Sequence, residues 1–455
     1  MGYILGDSEF RRDILHGDLA GRGALVAGIH TLGLIVGGLG TAIVEHRFGR
    51  KALLLAGLAL SATCGLTCAA TTTATAFAAW RWGAGIGIGV ALASYPALAT
   101  ELSPPRERGL IVSIANGCWT VGLIFNAVWA LIIFGVLRWS WRFYLIVATL
   151  PGAISFVLVL FFVPDSPRWY ALHGDCESAA RCANRTAWAM GYQGTPLCAE
   201  EVVSLCSRSR CRAISHKDQA LLRRAWESIR IIYKRDLRRA TIIIQILWVL
   251  ASIRAALAYW INTLFENLHL SNVYASFVLL NCAAIPGNVA SALLTDRVGR
   301  NAFFAASMLL SGLALIVVAM VVSSAGGDDV NGLQMDLSSR TVPIVLATCS
   351  YYASLTAVYS VLYVMVSELF PTDVRSTGVA VCSTFGRIAS FASQFVNGAL
   401  IDQPATLLLV GASVLCAGGF LSLICPLTEM SRKPVLDGHN DLSSEEEDRL
   451  LQGGE

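Results

Sequence analysis

The chain has 455 residues, 55% of them hydrophobic and only 14% charged, with a mean hydropathy of +0.60. Soluble domains carry roughly 25% charge, so this composition points away from a soluble domain and towards about a dozen membrane spans of roughly 20 residues each. The net charge is only +3, which leaves no footprint for nucleic acid, so any electrostatic argument has to be local.

The first 22 residues, "MGYILGDSEFRRDILHGDLAGR", are polar, too short to span, and carry no cleavable signal pattern. Eleven apolar runs of spanning length follow, at 24–44, 52–70, 76–100, 111–136, 143–163, 241–264, 273–294, 302–323, 341–366, 378–401 and 405–425. Runs this long in lipid are helices, because only helices and closed barrels satisfy the backbone there. Alternate connections are basic: Arg47, Arg50 and Lys51; Arg106 and Arg108; the segment up to Arg239; Arg297 and Arg300; Arg375; Arg432 and Lys433. By the positive-inside bias this set is expected to face the cytoplasm.

Residues 171–239 form the one sizeable insertion, and "RRAWESIRIIYKRDLRRA" within it reads as a basic amphipathic helix lying on the inner membrane surface or bracing the cytoplasmic helix ends. "NRT" at Asn184 matches a glycosylation acceptor, expected to stay unmodified on the cytoplasmic side. Of the thirteen cysteines, most sit inside apolar runs as small hydrophobes. Five cluster between Cys176 and Cys211 without a zinc spacing, so no metal or cofactor is expected. The acidic tail "SSEEEDRLLQGGE" places Glu446 before Leu450 and Leu451, a dileucine pattern that sorting adaptors would recognise. The expected organisation is a helix bundle at 1–170, a cytoplasmic loop at 171–239, a second bundle at 240–426 and a tail at 427–455.

The loop "EHRFGRK" (Glu45 to Lys51) returns as "TDRVGRN" (Thr295 to Asn301), each between two apolar runs. Glycine allows a tight turn, and the arginines can pair with acids at neighbouring helix ends, so two copies imply two structural repeats. With "RWGAGIGIGVALASYPALATELSPPRERG", "VPDSPRWYALHG" and "SELFPTDVRSTG" in the same order, the chain resembles the major facilitator superfamily over nearly its whole length. It is most similar to the organic-ion transporters and the synaptic-vesicle-protein group, since the sugar-porter signature of the seventh helix is missing from "IIIQILWVLASIRAALAYW".

That resemblance implies an all-α membrane protein of the two-bundle major facilitator type, with about eleven helices visible out of the family's twelve. Matching the loops leaves the first helix unaccounted for, with "MGYILGDS" resembling its last residues. Two explanations stand: an upstream start, or a variant lacking one wall of the cavity. The resemblance also implies a gate at the basic end built from Arg47, Gly49, Arg50, Glu101 and Arg108 in one half, and from Asp296, Arg297, Gly299, Arg300, Glu368 and Arg375 in the other. His46 stands where the family usually has Asp, and Glu45 beside it is the expected substitute.

Ionisable residues deep in spans are costly and point to function. Four qualify: His30, Arg81, Arg254 and Arg387. At about 1.5 Å per residue, Arg387 lies roughly 15 Å from the basic end, near the midplane. Arg254 lies somewhat beyond the middle, and Arg81 and His30 in the outer part. Glu101, Glu266, Glu368 and Asp402 all lie at helix ends, so no acid occurs at comparable depth. Mid-span arginines suit a carboxylate, sulfate or phosphate, whereas an organic cation would want an acid. Arg387 in "STFGRIAS" also matches the eleventh-helix arginine of the anion-handling relatives. Trp248, Tyr259, Tyr351, Tyr352 and Tyr359 are expected to line the cavity, against the plainer reading that span aromatics only pack. Arg254 could equally face another helix, and Arg81 could bond backbone carbonyls. The sequence holds no nucleophile–base pair or phosphate loop, so the expected function is secondary transport of a small, anionic organic solute, by facilitated diffusion or exchange. The competing expectation is a non-transporting receptor, sensor or vesicle scaffold of the same fold.

Overall fold

The structure, a computed structural model, describes residues 2–102, 108–189, 191–192, 194–208, 226, 229–267, 273–325, 337–370 and 375–424. In chain order its main helices are α1 (Gly2–Gly6), α2 (Ala24–Phe48), α3 (Arg50–Ala69), α4 (Ala74–Leu102), α5 (Arg108–Ala130), α6 (Trp141–Phe162), α7 (Pro167–Leu172), α8 (Cys176–Ala189) and α9 (Ala199–Arg208). They continue as α10 (Arg235–Ala258), α11 (Ile261–Asn267), α12 (Val273–Cys282), α13 (Ala284–Val298), α14 (Arg300–Ala325), α15 (Leu337–Leu369), α16 (Arg375–Ala399) and α17 (Pro404–Ile424). Among the described residues, eleven spans are long and apolar enough to cross a membrane, and each coincides with one of the apolar runs.

The chain divides into two compact units. Unit 1 holds Met1–Leu221, Ala256–Cys282 and Ser390–Asp402; unit 2 holds Leu222–Ala255, Ala283–Ala389 and Gln403–Glu455.

In unit 1, α4 lies between α2 and α3, and glycines make this possible. Gly85 and Gly89 share one face of α4, where Cβ atoms would meet the carbonyl oxygens of His30 and Leu34 on α2. Gly87, two residues out of phase, turns to α3, where a Cβ would lie 2.6 Å from Gly57 O. Residues four apart share a helix face and residues two apart oppose, so "GAGIGIG" packs two neighbours at backbone distance. Near the start of α4, Phe77 meets Trp141 of α6 and Phe10 in edge-on contacts 5.0–6.0 Å between centroids, all three rings fully buried. Arg142 reaches Asp13 at 3.5 Å and Thr71 O at 3.3 Å beside this cluster. α7, α8 and α9 form a small subdomain around Ala179, Ala180 and Val202. Asn184 clasps it: its Nδ2 donates to Leu197 O and its Oδ1 accepts from Leu197 N, both at 2.8 Å. Cys182 sits against Asp165 O at 3.4 Å, and burial pushes its thiol up, away from the thiolate a metal site needs.

Three expectations need correcting. The run at 241–264 is not one helix. α10 ends at Ala258, and Tyr259 and Trp260 turn through bonds to Ala256 O and Leu257 O at 3.3 and 2.9 Å before α11 begins. Trp260 Nε1 donates to Gln394 Oε1 at 2.6 Å, so a buried indole satisfied from α16 fixes the break. The run at 273–294 splits at Ala283, and Pro286 falls in the first turn of α13, where its missing N–H costs nothing. The basic segment at 223–240 is not one amphipathic helix either: residues 233–234 are non-helical and Arg235 opens the spanning α10. Thr241 donates to Ile232 O at 2.7 Å and Gln245 to the Tyr233 hydroxyl at 2.5 Å, which folds the preceding turn onto α10. The first part of that segment and the tail with Glu446, Leu450 and Leu451 lie outside the described residues.

Candidate functional site

The repeated loop is the same backbone device twice. Gly49 has φ +82° and Gly299 φ +95°, a conformation that L side chains rarely adopt. Gly49 N donates to Glu45 O at 3.0 Å and Gly299 N to Thr295 O at 3.2 Å, closing α2 and α13. The next helix starts at once: Leu53 N and Phe303 N reach back to the two glycine carbonyls at 3.3 and 3.0 Å.

In the first copy two ion pairs are present. Arg50 Nη2 lies 3.1 Å from Glu101 Oε1 at the end of α4. Its Nε lies 3.0 Å from Glu45 Oε1, an ion pair without the linear geometry of a hydrogen bond. Glu45 therefore supplies the acid that His46 does not. Two partners went unseen in the sequence. Ser166 of "VPDSPRW" donates to Glu101 Oε2 at 2.5 Å while accepting from Trp169 N at 3.2 Å as the cap of α7. Trp169 lies over Gly49, where a Cβ would touch its ring at 3.4 Å. Arg47 is exposed beside Phe48. In the second copy Arg297 is exposed and Arg300 half-buried. The side chains of His46, Arg108, Asp296, Glu368 and Arg375 lie outside the described ones.

The two mid-span arginines of unit 2 separate sharply. Arg254 is only 1% exposed, and its Nη2 and Nη1 donate to Tyr351 O at 2.8 Å and Ser354 O at 3.3 Å on α15. Tyr351 answers by donating its hydroxyl to Arg254 O at 2.7 Å, with the guanidinium 5.0 Å over its ring. This reciprocal clamp between α10 and α15, in place of the expected cavity-facing role, commits both Arg254 Nη atoms and the Tyr351 hydroxyl to backbone carbonyls, while the buried Arg254 Nε has no hydrogen-bond partner among the described residues. Tyr352, 9% exposed, packs edge-on against Tyr351 at 5.8 Å.

Arg387 is different. It is half-buried on α16 and lies within electrostatic reach of the Tyr363 and Tyr359 hydroxyls. At its neighbour Gly386, α16 passes so close to α10 that a Cβ would lie 2.5 Å from Ser252 Oγ and 3.1 Å from Trp248 O. Trp248 contacts Tyr363 at 5.0 Å and Tyr359 at 5.9 Å, both edge-on. Its buried Nε1 finds no hydrogen-bond partner among the described residues. Tyr359 donates to Ser252 Oγ at 3.3 Å. A cation, an indole N–H and the Tyr363 hydroxyl are therefore grouped around Tyr359, whose own proton goes to Ser252, and a planar anion could take more than one donor at once. Tyr363 and Ser252 were missed in the sequence; the only signal was helical spacing from Tyr359 and Trp248.

In unit 1, Arg81 on α4 is within electrostatic reach of Cys68 on α3, Tyr259 after α10 and Tyr144 on α6. Its Nε is buried without a partner among the described residues. His30 lies on α2, half-buried, with its backbone against Gly85.

Residues 12–432 match the protein family described as sugar (and other) transporter. Among curated proteins the chain is 26% identical to an organic cation transporter-like protein of Drosophila melanogaster over 89% of this chain and 67% of that one. It is 24% identical to organic anion transporter 3 of Oryctolagus cuniculus, over 88% and 68%. With solute carrier family 22 member 15 of Xenopus tropicalis the identity is 26%, over 100% and 79%. Among solved structures, the inward-open xylose transporter XylE from E. coli superposes with a TM-score of 0.70 at 15% identity, over 95% of this chain and 94% of that one. At that identity the likeness is one of fold.

Proposed function

The chain belongs to the sugar (and other) transporter family, and from that premise we propose that it carries a small organic anion across its membrane by alternating access. It is a multi-pass integral membrane transporter of the major facilitator fold. Its relatives' names divide between organic cations and organic anions, so similarity does not choose the charge.

The observation that carries the anion reading is the cluster of Arg387, Trp248, Tyr359 and Tyr363, in a chain with no acidic residue at mid-span. A guanidinium with nearby N–H and O–H donors stabilises a carboxylate or sulfate, and an organic cation would meet repulsion there. Without a titrating mid-span acid, we read the cycle as facilitated diffusion or anion exchange. The Arg50–Glu45–Glu101 latch supports a gate that holds the basic end shut and parts as the cycle turns. By the positive-inside bias that end faces the cytoplasm, and Glu446, Leu450 and Leu451 would offer the tail to sorting adaptors.

The test is uptake of whichever labelled anion of a monocarboxylate, dicarboxylate and aryl sulfate panel saturates in cells expressing the chain. Arg387→Ala should lower that uptake about tenfold or more at equal surface expression, because a charge-assisted contact is lost. Arg387→Lys should keep a fraction, since it retains the charge but not the fork. Undiminished uptake by the Ala variant would remove Arg387 from the site.

A further inference from the structure

Unit 1 holds a second set of contacts between the two halves of the sequence, at the helix ends remote from the basic loops. Phe134 lies in the widened turns Leu131–Leu137 after α5, Tyr144 near the start of α6 and Tyr3 in α1. Tyr274 and Phe277 lie in the first half of α12, and Phe265 in α11. All six belong to unit 1. Their rings form one unbroken series. Tyr274 stacks on Phe134 at 5.6 Å, Phe134 tilts against Tyr144 at 5.1 Å, and Tyr144 meets Tyr3 edge-on at 6.1 Å. Tyr3 then meets Phe277 edge-on at 5.7 Å, and Phe277 meets Phe265, also at 5.7 Å. The series crosses from the first half of the sequence to the second at Phe134–Tyr274 and again at Tyr3–Phe277. Asn281 adds a third crossing by donating to the Tyr3 hydroxyl at 3.0 Å. Elsewhere in unit 1, glycines bring the same halves to backbone distance. A Cβ at Gly28 on α2 would lie 2.8 Å from the Phe391 ring, and one at Gly398 on α16 would lie 3.1 Å from Leu19 O. None of these contacts involves a charge, in contrast to the Arg50 latch.

We propose that this ring series, with the Gly28 and Gly398 contacts, is a second gate: an apolar seal that closes the end opposite the basic loops and parts when that end opens. The inference rests on the alternating-access reading, which requires the two halves to separate at each end in turn. Ring and dispersion contacts are individually weak, so a seal made of a few of them can be broken and remade in each cycle. The Tyr3–Asn281 bond adds the direction that stacking lacks.

The test joins the halves across the seal. Phe134→Cys/Tyr274→Cys, as purified full chain in proteoliposomes, is treated with a short bifunctional thiol reagent that links through reducible disulfides, and peptide mass spectrometry measures the linked fraction. Hydroxyl-radical footprinting then reads solvent access to the Tyr3 and Phe277 rings with no solute present. Linking should lower oxidation of both rings about fivefold, and solute exchange about tenfold, relative to the same protein reduced, because only the closed state remains. Reductant should restore both. Equal oxidation in linked and reduced protein overturns the inference, as does exchange that persists in the linked protein or failure of the two thiols to link. A change in oxidation in a chain that exchanges no solute sustains the seal and counts against the transport reading alone. If the double variant does not fold, Tyr3→Phe replaces it: the ring stays, the hydroxyl bonded by Asn281 is lost, and Phe277 oxidation should rise about threefold. Unchanged Phe277 oxidation then overturns the inference.

Discussion

Arg254 and Arg387 look alike as letters, each a lone arginine in an apolar run. Their surroundings differ. Arg254 ties α10 to α15 through two backbone carbonyls, and Tyr351 closes the tie from the other side. Tyr351→Phe leaves Arg254 O without that donor, which costs about 1–3 kcal/mol for a buried group. The expected outcome is a lower Tm with an unchanged half-saturating solute concentration; an unchanged Tm with weakened solute affinity would return Tyr351 to the solute site. Depth along a run was legible, because rise per residue is fixed. Direction around the axis was not, because a span that is apolar on all sides carries no polar face to orient it. That is why Trp248, Tyr351 and Tyr359 were expected alike to line a cavity although Tyr351 bonds Arg254 O and Trp248 packs on Tyr359 and Tyr363, and why Tyr363 went unnoticed.

At the scale of elements, the sequence repeats its loops because the fold needs a left-handed glycine between two antiparallel helices, and both Gly49 and Gly299 adopt it. The partners of the first loop were only half legible. Glu45 and Glu101 could be read as helix-end acids facing arginines, but Ser166 and Trp169 reach the latch from 65 residues beyond Glu101 and over a hundred beyond Gly49. Nothing local to "PDSPRW" announces that contact. Arg50→Ala removes both ion pairs at once and, among the described residues, leaves Glu101 its hydrogen bond from Ser166. The expected result is uptake reduced several-fold at normal surface expression, since partly buried pairs of this kind bias a two-state element by about 1–3 kcal/mol. Wild-type uptake in Arg50→Ala would make the pairs static helix-end caps. The glycines of α4 were visible as composition, whereas their division between the α2 and α3 faces follows only once both neighbours are in place.

For the whole molecule, eleven spans were legible because lipid permits little besides continuous apolar helices, and length alone counts them. The linear division near residue 239 was a different kind of statement. In the structure Ala256–Cys282 and Ser390–Asp402 group with the first unit, so α10 and α16 each contribute their two ends to different units. A uniform apolar run says nothing about which neighbours its two ends choose. Family membership makes the chain a transporter, and its central open property is the charge of what it moves. The most direct measurement is counterflow in proteoliposomes holding the purified chain, with labelled organic anions and a labelled quaternary ammonium ion tested side by side. Saturable, trans-accelerated exchange of an anion, with no exchange of the cation, is the predicted result. Saturable cation exchange without anion exchange would contradict it, as would anion binding without any flux.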